Sequence, residues 1–287
     1  MSLRLARRLA DTVRALDPVS DALQGAMRAL PKPVRDALDG TWFGAPLHPA
    51  LTDVPIGSWS AAMVIDAVAP AAGDETIARA ADQALAVGIL AAIPTALTGM
   101  NDWSHLRGDS KRIGTVHAIL NSAALGLNVA SMVCRLNGRR DVGRALSGLA
   151  YGGTIFSAHL GGQLSFGLGV RVNRTAFESP PTDFRPVLDE TELQGEELRR
   201  VDLDGLAVLV TRARDGEICA IANTCSHLGG PLNEGKRDGD VVTCPWHGSE
   251  FDLCSGDLVS GPAVFPQPRY EARSREGKIE LRRVENT

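Results

Sequence analysis

The sequence has no extended run of Lys and Arg interleaved with aromatic residues, and its formal net charge is -4. Nucleic-acid binding rests on neutralising phosphates with such patches and is therefore set aside. The opening stretch "MSLRLARRLADTVRALD" has no long apolar core and nothing resembling a cleavable secretory signal. Cysteine is scarce, five in 287 residues. Cys134 lies in an apolar run, while Cys219, Cys225, Cys244 and Cys254 fall in the last third. Without a signal these four do not read as a secreted disulfide framework.

Charge is distributed unevenly along the chain. From about Leu47 to Val170 the chain is dominated by Ala, Leu, Gly, Val and Ile, and most of the charge lies before and after. Two environments are implied. Four apolar runs follow one another, Val54 to Ala71, Ala84 to Gly99, Ile113 to Cys134 and Ala145 to Val170. A membrane span needs about 20 mostly apolar residues. The third and fourth runs qualify, having no Asp, Glu, Lys or Arg. The first contains Asp66 and the second is short and interrupted by Pro94. Asp66 is expected to pair with a neighbouring helix. Gly152-Gly153 and Gly161-Gly162, with Ser157 and Ala158 between, offer a small-residue face for close helix approach in lipid. Asp53 followed by Pro55 reads as a helix start, with the carboxylate capping the first turn. At the N-terminus Leu5, Leu9, Val13 and Leu16 share one helical face, with Arg4, Arg7, Arg8 and Arg14 on the others. That helix suits an anionic membrane surface or the surface of the remaining protein.

Basic residues near the run ends set the topology. Arg28, Lys32, Arg35, Arg107, Lys111, Arg112, Arg171 and Arg174 fall on the side of the N-terminus and the C-terminal region, against Arg79, Arg135, Arg139, Arg140 and Arg144. Both termini are therefore expected in the cytoplasm. Within the apolar region, ionisable groups signal purpose. His48 precedes the first run, His105 lies in the connector "MNDWSHLRG", His117 sits one turn into the third run and His159 lies in the fourth. Asn121 and Asn128 extend a polar stripe below His117. Imidazoles on facing helices can hold haem b or a metal, or hydrogen-bond a quinone; a satisfied packing role is the alternative.

"RVNRTAFESPPTDFRPV" lacks periodicity and is broken by Pro180-Pro181, so it reads as a tether. Beyond it, "LAVLVTR", "EICAIAN", "DVVTC", "YEAR" and "KIELRR" alternate with Gly-containing turns, the pattern of a small all-β domain. That domain carries Cys225-x-His227 and Cys244-x-x-His247. Zinc uses the same donor types, but its structural sites place two to four residues between paired ligands, and their histidines follow one another. Here each pair mixes one thiolate with one imidazole, as two irons bridged by sulfide require if each loop gives one ligand to each iron.

"CSHLGGPL", "CPWHGSEFD" and "SGPAVFPQPRY" resemble the Rieske family over about Pro186 to Val284. The resemblance implies a [2Fe–2S] cluster, with Cys225 and Cys244 on the inner iron and His227 and His247 on the outer. Neutral imidazoles raise the potential above that of an all-Cys cluster. Gly230 and Trp246 stand where quinol-oxidising members have a bracing disulfide, a likeness to the ferredoxin and oxygenase branch that fits a reducing cytoplasm. Ser249 matches a serine that donates to a cluster sulfide in the high-potential branch, whereas Phe251 lacks a tyrosine's hydroxyl. An intermediate or low potential is expected. Cys219 and Cys254 read as a strand filler and a loop residue. "PLHPALTDVPIG", "ALTGMNDW", "GTVHAILN" and "GGQLSFGLGV" resemble a family of small four-helix membrane proteins of unknown function, over about Thr41 to Val172.

The expected architecture is multi-domain, α plus β: an amphipathic helical region at 1–40, a four-helix transmembrane bundle at 41–172, a linker at 173–185 and an all-β Rieske domain at 186–287. The expected function is single-electron transfer by a membrane-bound iron–sulfur protein, to or from a haem or quinone held by His48, His117 and His159. The alternative is a membrane-anchored ferredoxin component serving a separate oxygenase or reductase. The chain has no large domain for the mononuclear iron site of an oxygenase. It has no nucleotide or flavin fingerprint either, so a partner redox protein supplies or takes the electrons.

Overall fold

A computed structural model describes residues 3–72 and 75–284 of the chain. The side chains of Arg4, Leu5 and Arg7, on the expected amphipathic helix, lie outside the described residues, as do residues 285–287 of the expected C-terminal domain. Seven helices come first: α1 (Leu3–Thr12), α2 (Asp17–Arg28), α3 (Lys32–Asp39), α4 (Leu47–Ala72), α5 (Glu75–Trp103), α6 (Gly108–Leu136) and α7 (Arg140–Gly162). An all-β region follows. The chain divides into two compact units, Met1–Pro31 with Pro46–Val170 and Lys32–Ala45 with Arg171–Thr287. The N-terminal region expected at 1–40 is thus shared between them, and the stretch expected as a linker belongs to the second.

In the first unit α4 packs on α5 and α6 on α7, with α5 against α6 and α4 against α7. The start of α4 differs from the expectation. It begins at Leu47, with Pro49 in its first turn, where a missing N–H removes no helical bond. Asp53 is therefore exposed within the helix and caps nothing. Pro55 cannot donate to the Leu51 carbonyl, and Thr95 Oγ1 of α5 donates there instead, at 3.3 Å. Pro94 likewise sits inside an unbroken α5. Consequently α5 and α6 are the two helices long and apolar enough to cross a membrane among the described residues, and α7 is not the second one. Its α-helix stops at Gly162, where a π-helical turn takes over at Gln163–Gly167, and Arg140, Asp141 and Arg144 occupy its first turns.

The N-terminal helices pack on this unit. Ala6 and Ala10 of α1 are buried with Trp103, Leu106, Ile113, Leu160 and Leu164. Gln24 Nε2 of α2 donates to the Trp103 and Leu106 carbonyls, at 2.8 and 3.1 Å. The Trp103 carbonyl closes α5, where no donor within the helix remains, and the Leu106 carbonyl lies in the connector beyond it. Arg112 and Lys111 pair with Asp17 and Asp21. Of the two readings of the N-terminal helix, packing on the protein is the one observed.

The two hairpins, α4–α5 and α6–α7, repeat each other. The same number of residues separates His48 from Asp66 in α4 and His117 from Arg135 in α6. The steps Asp82–Thr95–Gly99 in α5 and Arg144–Ser157–Gly161 in α7 are also identical. Equivalent positions meet: the rings of His48 and His117 lie 6.4 Å apart, and Asp66 pairs with Arg135. Residues that touch their own equivalents lie beside the axis relating the hairpins. The expected pairing of Asp66 with a neighbouring helix is what the structure shows.

The second unit contains ten antiparallel strands: β1 (Arg185–Asp189), β2 (Arg199–Leu203), β3 (Leu206–Arg212), β4 (Ile218–Ala222), β5 (Lys236–Asp238), β6 (Val241–Thr243), β7 (Glu250–Asp252), β8 (Leu258–Ser260), β9 (Arg269–Arg275) and β10 (Lys278–Arg283). They form a six-stranded sheet ordered β1-β10-β9-β4-β3-β2 and a four-stranded sheet ordered β5-β6-β7-β8. One core fills the larger sheet, around Val208, Val210, Ala220, Ile279 and Leu281. A second gathers Leu209, Ile221, Leu232, Val242, Phe251 and Leu253 beneath the paired cysteines.

Cys219 and Cys254 are joined by a disulfide, which corrects their reading as strand filler and loop residue. Cys219 lies on β4 and Cys254 in the turn after β7, so the bond ties one sheet to the other. Replacing either residue by serine is expected to lower the stability of this unit by about 2–4 kcal/mol. Comparing urea unfolding of the oxidised and variant proteins measures it.

Candidate functional site

Two loops of the same design present the site. In the first, Cys225 N donates to Gly230 O and Gly229 N to Cys225 O, both at 2.9 Å. In the second, Cys244 N donates to Ser249 O at 2.8 Å and Gly248 N to Cys244 O at 3.1 Å. Gly229 and Gly248 both adopt left-handed φ, +85° and +79°, which a side chain would strain. Each loop therefore curls around its cysteine and turns its histidine away.

The outcome is a site with two sides. Cys225 and Cys244 are buried, 1% and 3% exposed, and their thiols hydrogen-bond each other. That bond and burial push the Cys225 thiol far up. The same bond, with the Trp246 and His247 backbone N–H groups, lowers the Cys244 thiol. Backbone N–H groups of His227 and Leu228 also face Cys225. These donors favour thiolate, the form that binds iron. On the other side the His227 and His247 rings lie 5.1 Å apart, nearly perpendicular. Thiols on one side and imidazoles on the other are the donor set that a two-iron cluster with mixed ligands would use.

A third segment covers the site. Ala263 N donates to Ser249 Oγ at 2.9 Å, which leaves the buried Ser249 hydroxyl hydrogen available to another acceptor. Ser226 Oγ donates to Phe265 O at 2.8 Å. A Cβ on Gly230 would come within 2.8 Å of Cys244 Sγ and 3.1 Å of Trp246 Cγ. The indole therefore fills the place where a bracing disulfide was expected to be missing.

One part of the site was not foreseen. Asp36 of α3 accepts from Ser260 Oγ at 2.7 Å and Gly261 N at 3.1 Å, and Lys32 Nζ donates to Gly261 O. Arg171 donates to Pro262 O at 2.8 Å and pairs with the buried Asp39 at 3.1 Å. A small pocket beside His227 is lined by Arg171, Ser226, Pro262 and Ala263. No local motif announces these contacts, because they join residues about 90 to 225 positions apart.

Among the helical histidines, His48 and His117 come together and His159 does not join them. His48 Nδ1 lies 2.9 Å from Thr95 O, and His117 Nδ1 2.8 Å from Ser157 O. Asn121 Nδ2 donates to His117 Nε2 at 3.1 Å. His159 is two residues past Ser157, over half a turn round α7, and its buried Nε2 has no hydrogen-bond partner among the described residues. His105 is buried in the α5–α6 connector, and Asn128 is buried in α6.

Residues 183–271 match the Rieske [2Fe-2S] domain, and residues 44–174 match DUF2231, a predicted membrane protein domain. Ferredoxin CarAc of Metapseudomonas resinovorans is 35% identical over 31% of this chain and 83% of its own length. The cytochrome b6-f complex iron-sulfur subunit of Chlorobaculum thiosulfatiphilum is 35% identical over 21% of this chain, but only 32% of its own length is spanned. A solved complex of reduced oxygenase and oxidized ferredoxin in carbazole 1,9a-dioxygenase is 32% identical, over 35% of this chain and 94% of that one, at a TM-score of 0.33. The Rieske match implies a [2Fe–2S] cluster and electron transfer. With its two loops, its cysteine and histidine sides and its likeness to a ferredoxin over most of that protein's length, the chain belongs to the Rieske [2Fe-2S] family through residues 183–271, joined to a DUF2231 domain at 44–174.

Proposed function

We propose that this protein is a membrane-bound one-electron carrier in which Cys225 and Cys244 hold the inner iron, and His227 and His247 the outer iron, of its cluster. The observation that carries this reading is the two-sided donor set, thiols buried together and imidazoles paired, His227 buried and His247 half-buried beside the exposed Trp246. When bound, the cluster supplies a one-electron couple. The loop N–H groups stabilise thiolate charge, the buried loops exclude water, and His247, the less buried imidazole, is where a partner redox protein exchanges the electron.

The helical half is read as a four-helix transmembrane module. Support comes from α5 and α6, and from exposed apolar side chains such as Val64, Leu90, Ile93, Leu149 and Ile155. Lipid would cover such a surface. In this reading the module binds haem b or a quinone that exchanges electrons with the cluster, through His48 and His117; His159, also expected as a ligand from the sequence, stands apart from that pair. The second reading, an anchored ferredoxin serving a separate oxygenase or reductase, is favoured by the likeness to a ferredoxin over most of that protein's length.

The full-length protein in mild detergent, reduced with dithionite, should give the rhombic electron-spin resonance of a histidine-ligated two-iron cluster. Redox titration should place its potential in the lower part of the roughly -150 to +300 mV Rieske range. One zinc per chain and no signal would overturn the cluster, and a potential at the top of the range would overturn the ferredoxin-like subtype. The basic-residue bias supports a cytoplasmic Rieske domain. The Cys219–Cys254 disulfide favours the other face, because such bonds persist in oxidising compartments. Reporter fusions at the C-terminus decide between the two faces.

A further inference from the structure

The His48–His117 pair combines three features, each repeated in both hairpins. His48 Nδ1 faces the Thr95 carbonyl and His117 Nδ1 the Ser157 carbonyl, atoms that only accept; the Ser157 hydroxyl, 2.9 Å from His117 Nδ1, donates its own hydrogen to the His117 carbonyl at 3.2 Å, so Nδ1 carries the proton and Nε2 the lone pair. Asn121 donating to His117 Nε2 confirms that assignment for one ring. Metal-ligating histidines have this tautomer, with the second nitrogen tied to a backbone carbonyl. Each ring also packs against a glycine one turn beyond its acceptor. A Cβ on Gly99 would come within 2.7 Å of His48 Cε1, and one on Gly161 within 3.3 Å of His117 Cε1. Glycine inside a helix costs roughly 0.5–1 kcal/mol relative to alanine, a cost accepted twice at equivalent places. Finally, the rings meet beside the axis relating the hairpins, from helices α4 and α6.

The separation selects the ligand class. Two imidazoles on opposite sides of one metal, at about 2.0–2.1 Å per bond with about 1.1 Å from nitrogen to ring centre, have centres roughly 6.3 Å apart, against about 5.1 Å at a tetrahedral angle. The observed distance is 6.4 Å. A quinone held between the two rings would need hydrogen bonds of about 2.8–3.0 Å on both sides of a six-membered ring, which is far wider. A bare zinc ion would need four ligands, and no cluster of three His, Cys, Asp or Glu occurs among the described residues. A porphyrin supplies four equatorial nitrogens and asks the protein for axial ligands only.

We propose that His48 and His117 are the two axial ligands of one b-type haem iron held between the hairpins, with Asn121 giving up its bond to His117 when the iron binds. This rests on the reading of the helical half as a redox module, and it excludes His159 from the ligand set.

The test is hemin titration of the full-length protein in mild detergent, with optical and electron-spin resonance spectra taken on the same samples. One low-spin haem per chain is expected. The nearly perpendicular rings, at 89°, predict a strongly anisotropic ferric signal. His48→Gly and His117→Gly should each lose the low-spin spectrum, and added imidazole should restore it, which a purely packing role would not produce. His159→Ala should leave it unchanged. Failure to bind hemin, or an unaltered spectrum in the His48→Gly/His117→Gly double variant, overturns the proposal. The cluster signal in the same samples reports on the Rieske domain separately: present without haem, it leaves the carrier reading standing and removes only this site.

Discussion

Arg135→Ala is expected to destabilise the helical unit by about 3–5 kcal/mol, the usual cost of removing one partner from a buried ion pair. The Arg135 side chain is fully buried. It pairs with Asp66, lies 3.0 Å from Asp82 Oδ1, and donates to Ser147 Oγ and Ser131 Oγ at 3.0 and 3.1 Å. Its loss strands two carboxylates on two different helices. Arg144 and Arg140 stay in contact with Asp66 and Asp82, and should soften the effect without replacing the buried guanidinium. Unfolding in detergent by urea or heat measures the change, and a variant as stable as the parent would show that the network contributes nothing.

The repeat gives this network a second meaning. Asp66 is equivalent to Arg135, and Asp82 to Arg144, so the first hairpin is acidic at both positions and the second is basic. Two copies of either hairpin would bring like charges together, whereas the two different hairpins pair favourably. Opposite charges at equivalent positions therefore act against self-association of a half, a use of buried ions for partner choice. Exchanging the charges, Asp66→Arg with Arg135→Asp, should recover part of the stability that either single change loses. Recovery stays partial because Asp82, Arg140 and Arg144 are arranged for the native order. No recovery would mean that the site depends on side-chain shape and hydrogen bonding, not on charge order.

What could be read in the sequence was what short spacing encodes. Cys225 with His227 and Cys244 with His247 each sit within one turn of a loop, so the donor pairs and the all-β setting were visible. The apolar runs likewise announced long helices, though their ends were shifted: the proline rules suggested a start at Asp53, where Leu47 begins the helix and Thr95 of α5 serves the carbonyl that Pro55 leaves unserved. The repeat escaped because the hairpins share few identical residues. What they share is role, a histidine, a charge and a hydroxyl residue four positions before a glycine, and opposite charges at matching places hide the likeness. The Cys219–Cys254 bond escaped because each partner lies outside the ligand spacing, and only the packing of β4 against the turn after β7 brings them together. A residue-by-residue reading also could not place α3 in the second unit.

Helix α3 is held in the second unit by Arg171, where a second large effect is expected. Its backbone is left-handed, φ +62°, a conformation that costs a non-glycine residue of order 1–3 kcal/mol. Glycine would avoid the cost, so the side chain must contribute more than it. It bonds the Pro262 and Asp39 carbonyls, both at 2.8 Å, and pairs with an Asp39 side chain that is 1% exposed. Arg171→Ala should therefore lose about 3–5 kcal/mol from the Rieske unit by removing a buried cation and keeping the strain. Arg171→Gly should lose the same contacts but relieve the backbone, making it about 1 kcal/mol more stable than the alanine variant and still less stable than the parent. That order of three is what separates a side-chain clamp from a merely strained turn, in which glycine would be the most stable. Because Pro262 belongs to the segment over the cluster and lines the pocket beside His227, both variants should also broaden or shift the electron-spin resonance signal. Unchanged spectra together with lowered stability would confine Arg171 to holding the fold, and would leave the shape of the site to Asp36, which holds Ser260 and Gly261 from the same helix.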